Sequence, residues 1–248
     1  EYIYAANWAG KLQRIKWTNT SSGWQPVPLP IDRKFSQNCT TGWGNNYVYN
    51  PLAPIWTTNQ NSGGNDNHKP FSVFVDNENN TIWVGTVKGV NKGTIDGDCI
   101  DWIHYKVDKT NYEDQQHAPF YDGEIGGDWI TGIFSQDLGN NQTRIWLISR
   151  EVVEPPVPHK LTYTDDDGLE WITINQFNDE GVGATDPTLV SNLYFNGHEM
   201  FASTHNGLYY TTIGNEQNWE YWGFPEYVLD NVLTSRVLTT IIYDDILF

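Results

Sequence analysis

The sequence predicts an all-β chain that folds as a β-propeller of four four-stranded antiparallel blades, with five blades as the alternative. Three recurring features predict this fold: an aromatic strand motif, an apolar run before the motif, and a tryptophan some way after it. Self-similarity along a chain is typical of repeat architectures, and repeated sets of short strands joined by turns form the blades of a propeller.

The aromatic strand motif is clearest at residues 81–90 (TIWVGTVKGV) and returns at 199–208 and 1–10. Each copy has an aromatic residue, then a pair of small residues, then a glycine. A weaker copy at 144–150 keeps the aromatic residue and lacks the glycine. A glycine after such a strand predicts a tight turn. The aligned aromatic residues are Tyr4, Trp83, Trp146 and Phe201, and the aligned glycines are Gly10, Gly89 and Gly207.

The apolar runs and the tryptophans supply the remaining strands of each unit. Alternating or apolar runs occur at 71–75, 129–134, 190–195 and 237–243. Each unit therefore has four short strands joined by turns, which is the antiparallel meander of a propeller blade. The tryptophans that open the last strand of each unit are Trp24, Trp102, Trp171 and Trp219.

The predicted blades make residues 1–248 a single domain. The chain begins in a second-strand motif and ends in a first-strand motif, so we expect the N- and C-terminal strands to pair and close the ring, which leaves no open sheet edge. Exchange of the last strand with a neighbouring molecule is the alternative. The spacing also leaves room for a degenerate fifth blade around 47–58. The predicted blades are 1–30 plus 237–248, 70–107, 128–177 and 188–225.

The composition of the chain limits the classes of ligand that it can bind. The chain has 248 residues, 12 of them tryptophan, and a formal net charge of −17. This charge argues against binding to nucleic acid or to anionic membranes, because both need clustered lysine and arginine. It permits neutral sugars, cations or basic proteins as ligands. No apolar run approaches the roughly 18–20 residues that span a membrane, so we expect no membrane span.

Two long segments between the predicted blades are rich in aromatic residues. Segment 31–69 is the least regular part of the sequence, and long loops inside compact domains are usually functional or disordered. Its aromatic content favours a binding loop whose rings stack on sugars or contact a protein. A lid packed on its own domain, or the fifth blade, is the alternative. With two tyrosines of segment 108–127, the candidate ligand-binding residues are Trp43, Tyr47, Tyr49, Trp56, Tyr112 and Tyr121.

Acidic residues offer weak metal candidates. Asp96, Asp98 and Asp101 lie close together around one turn, and calcium prefers such oxygen ligands, although their spacing departs from the EF-hand pattern. Calcium is the one cofactor indicated, and solvated turn carboxylates are the simpler interpretation. His117 lies among the carboxylates of segment 108–127, where a metal site, an acid–base group or an ordinary surface loop would look the same.

The cysteines and the glycosylation sequons indicate the compartment. Cys39 and Cys99 predict one disulfide, with two buried thiols as the alternative. The acceptor pattern Asn-X-Ser/Thr permits N-glycosylation. Together with little lysine and much asparagine and threonine, these features favour an extracellular or cell-surface protein. The sequon asparagines are Asn19, Asn38, Asn79 and Asn141.

Residues 164–171 (TDDDGLEW) resemble the Asp-box of sialidases, sortilin-type receptors and related propellers. The resemblance implies that Asp166 binds turn amides, that Gly168 has a positive φ and that Trp171 packs between blades. In those families the box is a structural turn away from the active site, so it supports the fold and not catalysis. Residues 18–24 are a degraded echo, and the other blades depart from the pattern. The motif at 81–90 also looks like the repeats of sensor-type bacterial propellers.

A binding function fits these observations better than catalysis. Connections between blades share one face of a propeller with the middle hairpins, so the long segments would crowd one binding face. We expect a non-enzymatic secreted or cell-surface module that contacts glycans or proteins, or a subunit of an extracellular polymer. The alternative is a glycoside hydrolase-like enzyme using loop carboxylates. Its candidate carboxylates are Asp114, Asp122, Glu124, Asp128, Asp179, Glu180 and Asp186.

Overall fold

The computed structural model describes residues 1–8, 11–39, 66–107, 125–140, 142–150, 160–174, 190–204 and 207–223, with the pairs 242–243 and 246–247. This part of the chain is almost entirely β-structure, with short 3-10 helices at Thr20–Ser22 and Asp66–His68. None of the helices in these ranges is long and apolar enough to cross a membrane. The strands are β1 (Tyr2–Asn7), β2 (Lys11–Lys16), β3 (Gln25–Pro26), β4 (Ser36–Gln37), β5 (Pro70–Asp76), β6 (Thr81–Thr86), β7 (Gly89–Asp96), β8 (Cys99–Tyr105), β9 (Trp129–Gly139), β10 (Gln142–Arg150), β11 (Lys160–Thr164), β12 (Ile172–Ile174), β13 (Val190–Asn196), β14 (Glu199–Thr204), β15 (Gly207–Thr212), β16 (Glu220–Gly223), β17 (Ile242–Tyr243) and β18 (Ile246–Leu247).

The chain divides into two compact units. Unit 1 comprises Glu1–Phe120 and Asp128–Ile133, and unit 2 comprises Tyr121–Gly127 and Phe134–Phe248. The predicted single domain therefore stays a prediction.

Unit 1 contains two antiparallel sheets. The first sheet has the order β1-β2-β3, and the second has the order β4-β8-β7-β6-β5. Strand β6 is buried along its whole length, as a strand with apolar residues on both faces should be. The two sheets pack face to face through a shared core of Leu12, Val27, Leu29, Ile82, Val84, Ile100 and Trp102.

Unit 2 repeats this organisation. The third sheet has the order β12-β11-β10-β9, although the first residues of β9 belong to unit 1. The fourth sheet has the order β13-β14-β15-β16, and β17 pairs with β18 in a short ribbon. The third and fourth sheets share a core of Trp146, Ile148, Leu161, Tyr163, Ile174, Val190, Leu193, Met200, Ala202, Tyr209 and Trp219.

The structure differs from the sequence prediction at β4, which comes from the segment expected to be a loop and adds a fifth strand beside β8. Trp24 directly precedes the short strand β3, and its side chain is 48% exposed, whereas Trp102, Trp171 and Trp219 are buried. The predicted closing strand at 237–243 lies mostly outside the described residues, and its last two residues pair with Ile246 and Leu247.

Candidate functional site

The connection end of the second sheet is the edge where β6 turns into β7, where the chain enters β5, and where it leaves β8. The backbone N–H of Val87 donates to the carbonyl of Lys69 at 3.3 Å, and that of Gly89 donates to the carbonyl of Asp128 at 2.7 Å. The N–H of Val107 donates to Asp128 Oδ1 at 2.9 Å. The hairpin between β6 and β7 therefore lies together with the entry to β5 and the exit from β8.

A buried polar network holds this end in place. Asn67 and Asn91 exchange side-chain amide hydrogen bonds of 2.7 and 2.8 Å. Asn67 Nδ2 also donates to the carbonyl of Pro30 at 2.8 Å, and Thr86 Oγ1 donates to Asn67 Oδ1 at 2.8 Å. Buried amides that are paired in this way stabilise one arrangement, since any alternative leaves them unsatisfied. The network thus fixes the entry to β5 against the middle hairpin.

Two histidines are buried beneath the same end. The Nε2 of His68 accepts a hydrogen bond from the N–H of Leu29 at 3.3 Å, and burial lowers the pKa of His68 to about 3. His104 lies between two carbonyls, with Nε2 2.7 Å from the oxygen of Lys88 and Nδ1 3.1 Å from that of Lys34. Burial lowers the pKa of His104 to about 4, although these carbonyls favour the charged ring. Both rings are therefore neutral at pH 7.

An aromatic cluster lies at the connection end of unit 1, and we define it as Trp8, Phe71 and Trp129. The ring centroids of Trp8 and Phe71 are 4.8 Å apart, those of Phe71 and Trp129 are 5.9 Å apart, and those of Trp8 and Trp129 are 6.2 Å apart. All three side chains are partly exposed. Trp8 follows β1, whereas Phe71 and Trp129 stand at the starts of β5 and β9, so three strand ends present one continuous aromatic surface.

Two ion pairs border the aromatic cluster. Lys69 pairs with Asp66, and its Nζ lies 5.8 Å from the ring of Trp8. Lys88 Nζ lies 3.3 Å from Oδ2 of Asp128, and Asp128 directly precedes Trp129 in the chain. Apolar rings with a few polar groups at their rim are the usual makeup of a ligand site. Because both carboxylates are paired with lysines, this arrangement is suited to binding more than to proton transfer.

The turn at 164–171 has a well-defined geometry in unit 2. Asp166 Oδ1 accepts hydrogen bonds from Thr164 Oγ1 at 2.8 Å and from the N–H of Glu170 at 2.9 Å. Gly168 has a φ of +94°, and Trp171 is buried. The turn thus shows the amide binding and the positive φ that the sequence led us to expect.

A buried arginine connects this turn to the fourth sheet within unit 2. Arg144 donates to both oxygens of Asp165, at 2.6 and 2.7 Å, and also donates to Glu216. Its guanidinium lies 4.1 Å from the ring centroid of Tyr163. Burial raises the pKa of Glu216, but hydrogen bonds from Arg144 and from the N–H of Gly214 outweigh it and hold that pKa below its usual value. The network joins two sheets and has the character of a structural clamp.

The predicted ligand-binding aromatic residues are not among the residues that the structure describes. All six of them, Trp43, Tyr47, Tyr49, Trp56, Tyr112 and Tyr121, lie outside the described residues, as do His117, Asn141 and most of the candidate catalytic carboxylates. Among those carboxylates, Asp128 is described, and it binds the N–H of Val107 and the ammonium group of Lys88.

The candidate calcium ligands Asp96, Asp98 and Asp101 lie among the described residues, and two of them accept hydrogen bonds from the protein. Asp98 Oδ1 accepts a hydrogen bond from the hydroxyl of Tyr2 at 2.6 Å, and Asp101 Oδ1 accepts one from the N–H of Cys39 at 2.7 Å. Within the described ranges, no three His, Cys, Asp or Glu side chains meet in a group able to hold a metal ion.

Cys39 and Cys99 form a disulfide, which is the first of the two alternatives that the sequence left open. It joins the end of the β4 segment to the start of β8. Asn19, Asn38 and Asn79 are all exposed, with Asn79 Nδ2 donating to Asp76 Oδ2 at 2.8 Å.

Sequence reasoning missed the aromatic cluster. Two of its members, Phe71 and Trp129, open the apolar runs that predicted the first strands of two blades, and Trp8 occupies a turn of the aromatic motif. A signal was therefore present for two of the three rings, because Phe71 and Trp129 both lie at the start of a strand at the connection end. What the sequence alone did not show is that β1, β5 and β9 bring these rings into contact.

Comparison with known proteins gives little further guidance. No protein-family model matches the chain, and no curated protein matches its sequence. A solved structure that resembles it is the extracellular domain of a protein assigned to the hybrid two-component systems of B. thetaiotaomicron, with 15% identity and a TM-score of 0.46. The match covers 72% of this chain and 21% of that one, so the chain spans about a fifth of the matched protein's length.

Proposed function

We propose that this chain is a β-propeller that serves as a non-enzymatic binding module outside the cell or at its surface. The single observation that carries the proposal is the connection end, where a rigid polar network supports three partly exposed aromatic rings with paired charges at their rim. Loops and turns held by a rigid sheet are where binding residues concentrate. Glycan or protein contacts at this end are the proposed activity.

The propeller itself is part of the proposal. Four antiparallel sheets follow one another along the chain, and each corresponds to one repeat of the sequence motif. Within each unit two sheets pack face to face, as neighbouring blades do. Among the described strands, β1 forms the margin of a three-stranded sheet. A fourth strand supplied by the C-terminal segment would complete that blade.

An extracellular location is supported by the disulfide. Disulfides persist in oxidising compartments and are rare where glutathione keeps thiols reduced. The bond between Cys39 and Cys99 lies on the same sheet as the connection end, so it stabilises the element that carries the proposed site.

Self-assembly is the second candidate function, and exposed aromatic surface favours it. In unit 1, Trp17 is 63% exposed and Ile3 is 41% exposed. In unit 2, one face of the fourth sheet carries an aromatic ladder across its four strands, in which Phe201 is buried and the terminal Trp222 is 53% exposed. Exposed apolar patches of this kind often mark protein–protein contacts. The ladder consists of Tyr194, Phe201, Tyr210 and Trp222.

Binding is tested with panels of immobilised glycans and of secreted proteins, probed with the labelled intact chain. We expect retention by at least one panel, and we expect Lys88→Glu to weaken it, because Lys88 stands at the connection end with 40% of its side chain exposed. Lys16→Glu is the matched control, since Lys16 is exposed at the far end of β2. If the chain binds neither the glycan panel nor the protein panel, the proposed function is overturned.

A further inference from the structure

We infer that the aromatic cluster of Trp8, Phe71 and Trp129 binds a neutral saccharide through ring stacking. This inference rests on the proposed binding function and names the class of its ligand and the residues that hold it. None of the ligand-binding residues indicated by the sequence belongs to this cluster.

Ring geometry limits how a ligand can be held. Centroid separations of 4.8 to 6.2 Å lie in the range of aromatic rings that touch one another. No ligand group fits between such rings, which argues against a cage that encloses a quaternary ammonium group. The ligand must instead lie across the exposed faces and edges of the cluster. A ligand with a flat apolar face meets this requirement.

The charges at the rim limit the ligand further. Lys69 is paired with Asp66 and Lys88 with Asp128, so these four groups carry no net charge. An anionic ligand would meet a chain of formal net charge −17, and this repulsion would oppose its approach. The paired groups still offer ammonium donors and carboxylate acceptors beside the rings. A neutral ligand rich in hydroxyl groups can use both kinds of hydrogen bond.

A pyranose has both properties, since one face of the sugar ring presents C–H groups and its edge presents hydroxyls. The C–H face would stack on Trp8 or Trp129, and the hydroxyls would bind Lys69 or Asp66 at the rim. Asp66 is accessible for this, with 52% of its side chain exposed. The two described lysines at the rim, Lys69 and Lys88, are each paired with a carboxylate, which does not favour nucleic acid, whose phosphates dominate its binding.

The test is calorimetric titration of the intact chain with neutral oligosaccharides that the glycan panel selects, and with acidic ones of similar size. We expect the neutral sugars to bind more tightly. Trp8→Ala and Trp129→Ala should each weaken binding about tenfold, as expected when a stacked ring is removed. Trp8→Phe, which keeps an aromatic face, should weaken it by no more than about threefold. Trp17→Ala is the matched control and should leave affinity unchanged, because Trp17 is exposed in the same unit but lies outside the cluster.

Each outcome decides the inference. Circular dichroism and urea unfolding check that the variants fold, and if Trp8→Ala does not fold, Trp129→Ala and Lys69→Met decide instead, with expected losses of about tenfold and about threefold. Saccharide binding that is unaffected by all cluster variants would place the site elsewhere. Binding to proteins without any neutral saccharide would overturn the inference and leave the proposed function standing. Binding to neither panel would overturn both.

Discussion

The buried charge of Arg144 in unit 2 depends on its carboxylate partners. The guanidinium of Arg144 satisfies two carboxylates at once, with the two oxygens of Asp165 held in a bidentate pair. Bidentate pairs are the strongest of the charge-assisted hydrogen bonds. Taking charges out of water is expensive, so such a group stabilises the fold only while every partner is present.

Replacing Arg144 should therefore destabilise the protein severely. Arg144→Met leaves the carboxylates of Asp165 and Glu216 without their cation, and the side chain of Glu216 is only 10% exposed. We expect a loss of about 3–5 kcal/mol in the free energy of unfolding, measured by urea denaturation. Arg144→Lys keeps the charge but not the fork of donors, so its loss should be smaller.

Glu170→Gln is the control for this experiment, since Glu170 is exposed beside the same turn. It should change the free energy of unfolding by less than about 0.5 kcal/mol. If Arg144→Met also lowers the free energy of unfolding by less than about 0.5 kcal/mol, the ion pairs of Arg144 do not stabilise unit 2.

The buried histidine His104 predicts a pH dependence of stability in unit 1. Its pKa is about 4 in the folded protein and 6.5 when it is free, so the unfolded chain binds more protons between these values. Stability should therefore be full above pH 6.5 and fall as the pH drops toward 4, by roughly 3 kcal/mol for a shift of this size. Urea titrations at pH 7.5, 5.5 and 4.5 measure the effect.

Neighbouring groups allow this effect to be separated from others. Coulombic interaction with Lys106 acts to lower the pKa of His104, and interaction with Asp128 acts to raise it. The carboxylate of Glu216 loses its contribution only as the pH falls below 4.5, so the range from pH 6.5 to 4.5 is free of its effect. His68, with a pKa of about 3, contributes a slope of the same sign in this window, so His104→Asn should roughly halve the slope between pH 6.5 and 4.5. His198→Gln, at an exposed turn, should leave the slope unchanged. An unchanged slope in His104→Asn would show that the ring is not the source.

At the scale of elements, the repeated glycine has a physical reason. Gly89 has a φ of +112° and Gly207 a φ of +130°, a region that other residues rarely adopt. A Cβ on Gly89 would also lie 3.0 Å from the carbonyl carbon of Tyr105 and 3.2 Å from the Cα of Lys106. The middle hairpin thus lies directly against the end of β8, and a side chain there would push the two apart.

Substitution of this glycine should be far more damaging than substitution of an unhindered one. Gly89→Asn combines backbone strain with a clash against backbone atoms, and we expect a loss of more than about 3 kcal/mol. Gly97 has a φ of +60° with no atom within 4 Å of its Cβ position, and asparagine tolerates that conformation.

Gly97→Asn should therefore cost no more than about 1 kcal/mol, with both variants measured by thermal and urea unfolding. Equal losses for the two variants would show that positive φ alone, and not the close approach to β8, requires the glycine of the repeat.

Strands with a clear local signal could be predicted from the sequence. The run at 71–75 lies within β5, and the run at 190–195 lies within β13, because alternation and β-branched residues identify strands locally. Strand β4 could not be predicted, since Ser36 and Gln37 carry no apolar pattern and pair with β8 only through the fold. Trp24 does stand directly before a strand, as predicted, but β3 has only two residues, and nothing in the sequence indicated that this indole, unlike those of the other tryptophan strands, would be exposed.

At the scale of the whole molecule, the site was harder to predict than the fold. Repeats show which strands exist, whereas the aromatic cluster depends on which strand ends meet. The network of Asn67, Asn91 and Thr86 is likewise assembled from segments far apart in sequence, and nothing in its local sequence marks it. Conversely, the aromatic residues that the sequence singled out as ligand-binding lie outside the described residues and remain predictions.

The mass of the protein in solution distinguishes the two candidate functions. A binding module should remain a discrete species, and we expect light scattering to give the mass of one chain over a wide range of concentration. A mass that rises with concentration, or filaments in negative stain, would favour assembly instead. In that case Trp222→Ser should reduce the association because it removes the exposed end of the aromatic ladder, while Trp8→Phe should not.

The placement of the tryptophans also makes the chain its own optical probe. Trp83 and Trp102 are fully buried in unit 1, and Trp146 and Trp219 are fully buried in unit 2, with the last two rings 6.4 Å apart. Buried indoles emit at shorter wavelength than hydrated ones, and neighbouring rings couple in the near-ultraviolet. Exchanging the other eight tryptophans for phenylalanine would leave an emission spectrum that reports on the two cores, and it would show whether the cores melt together or one after the other.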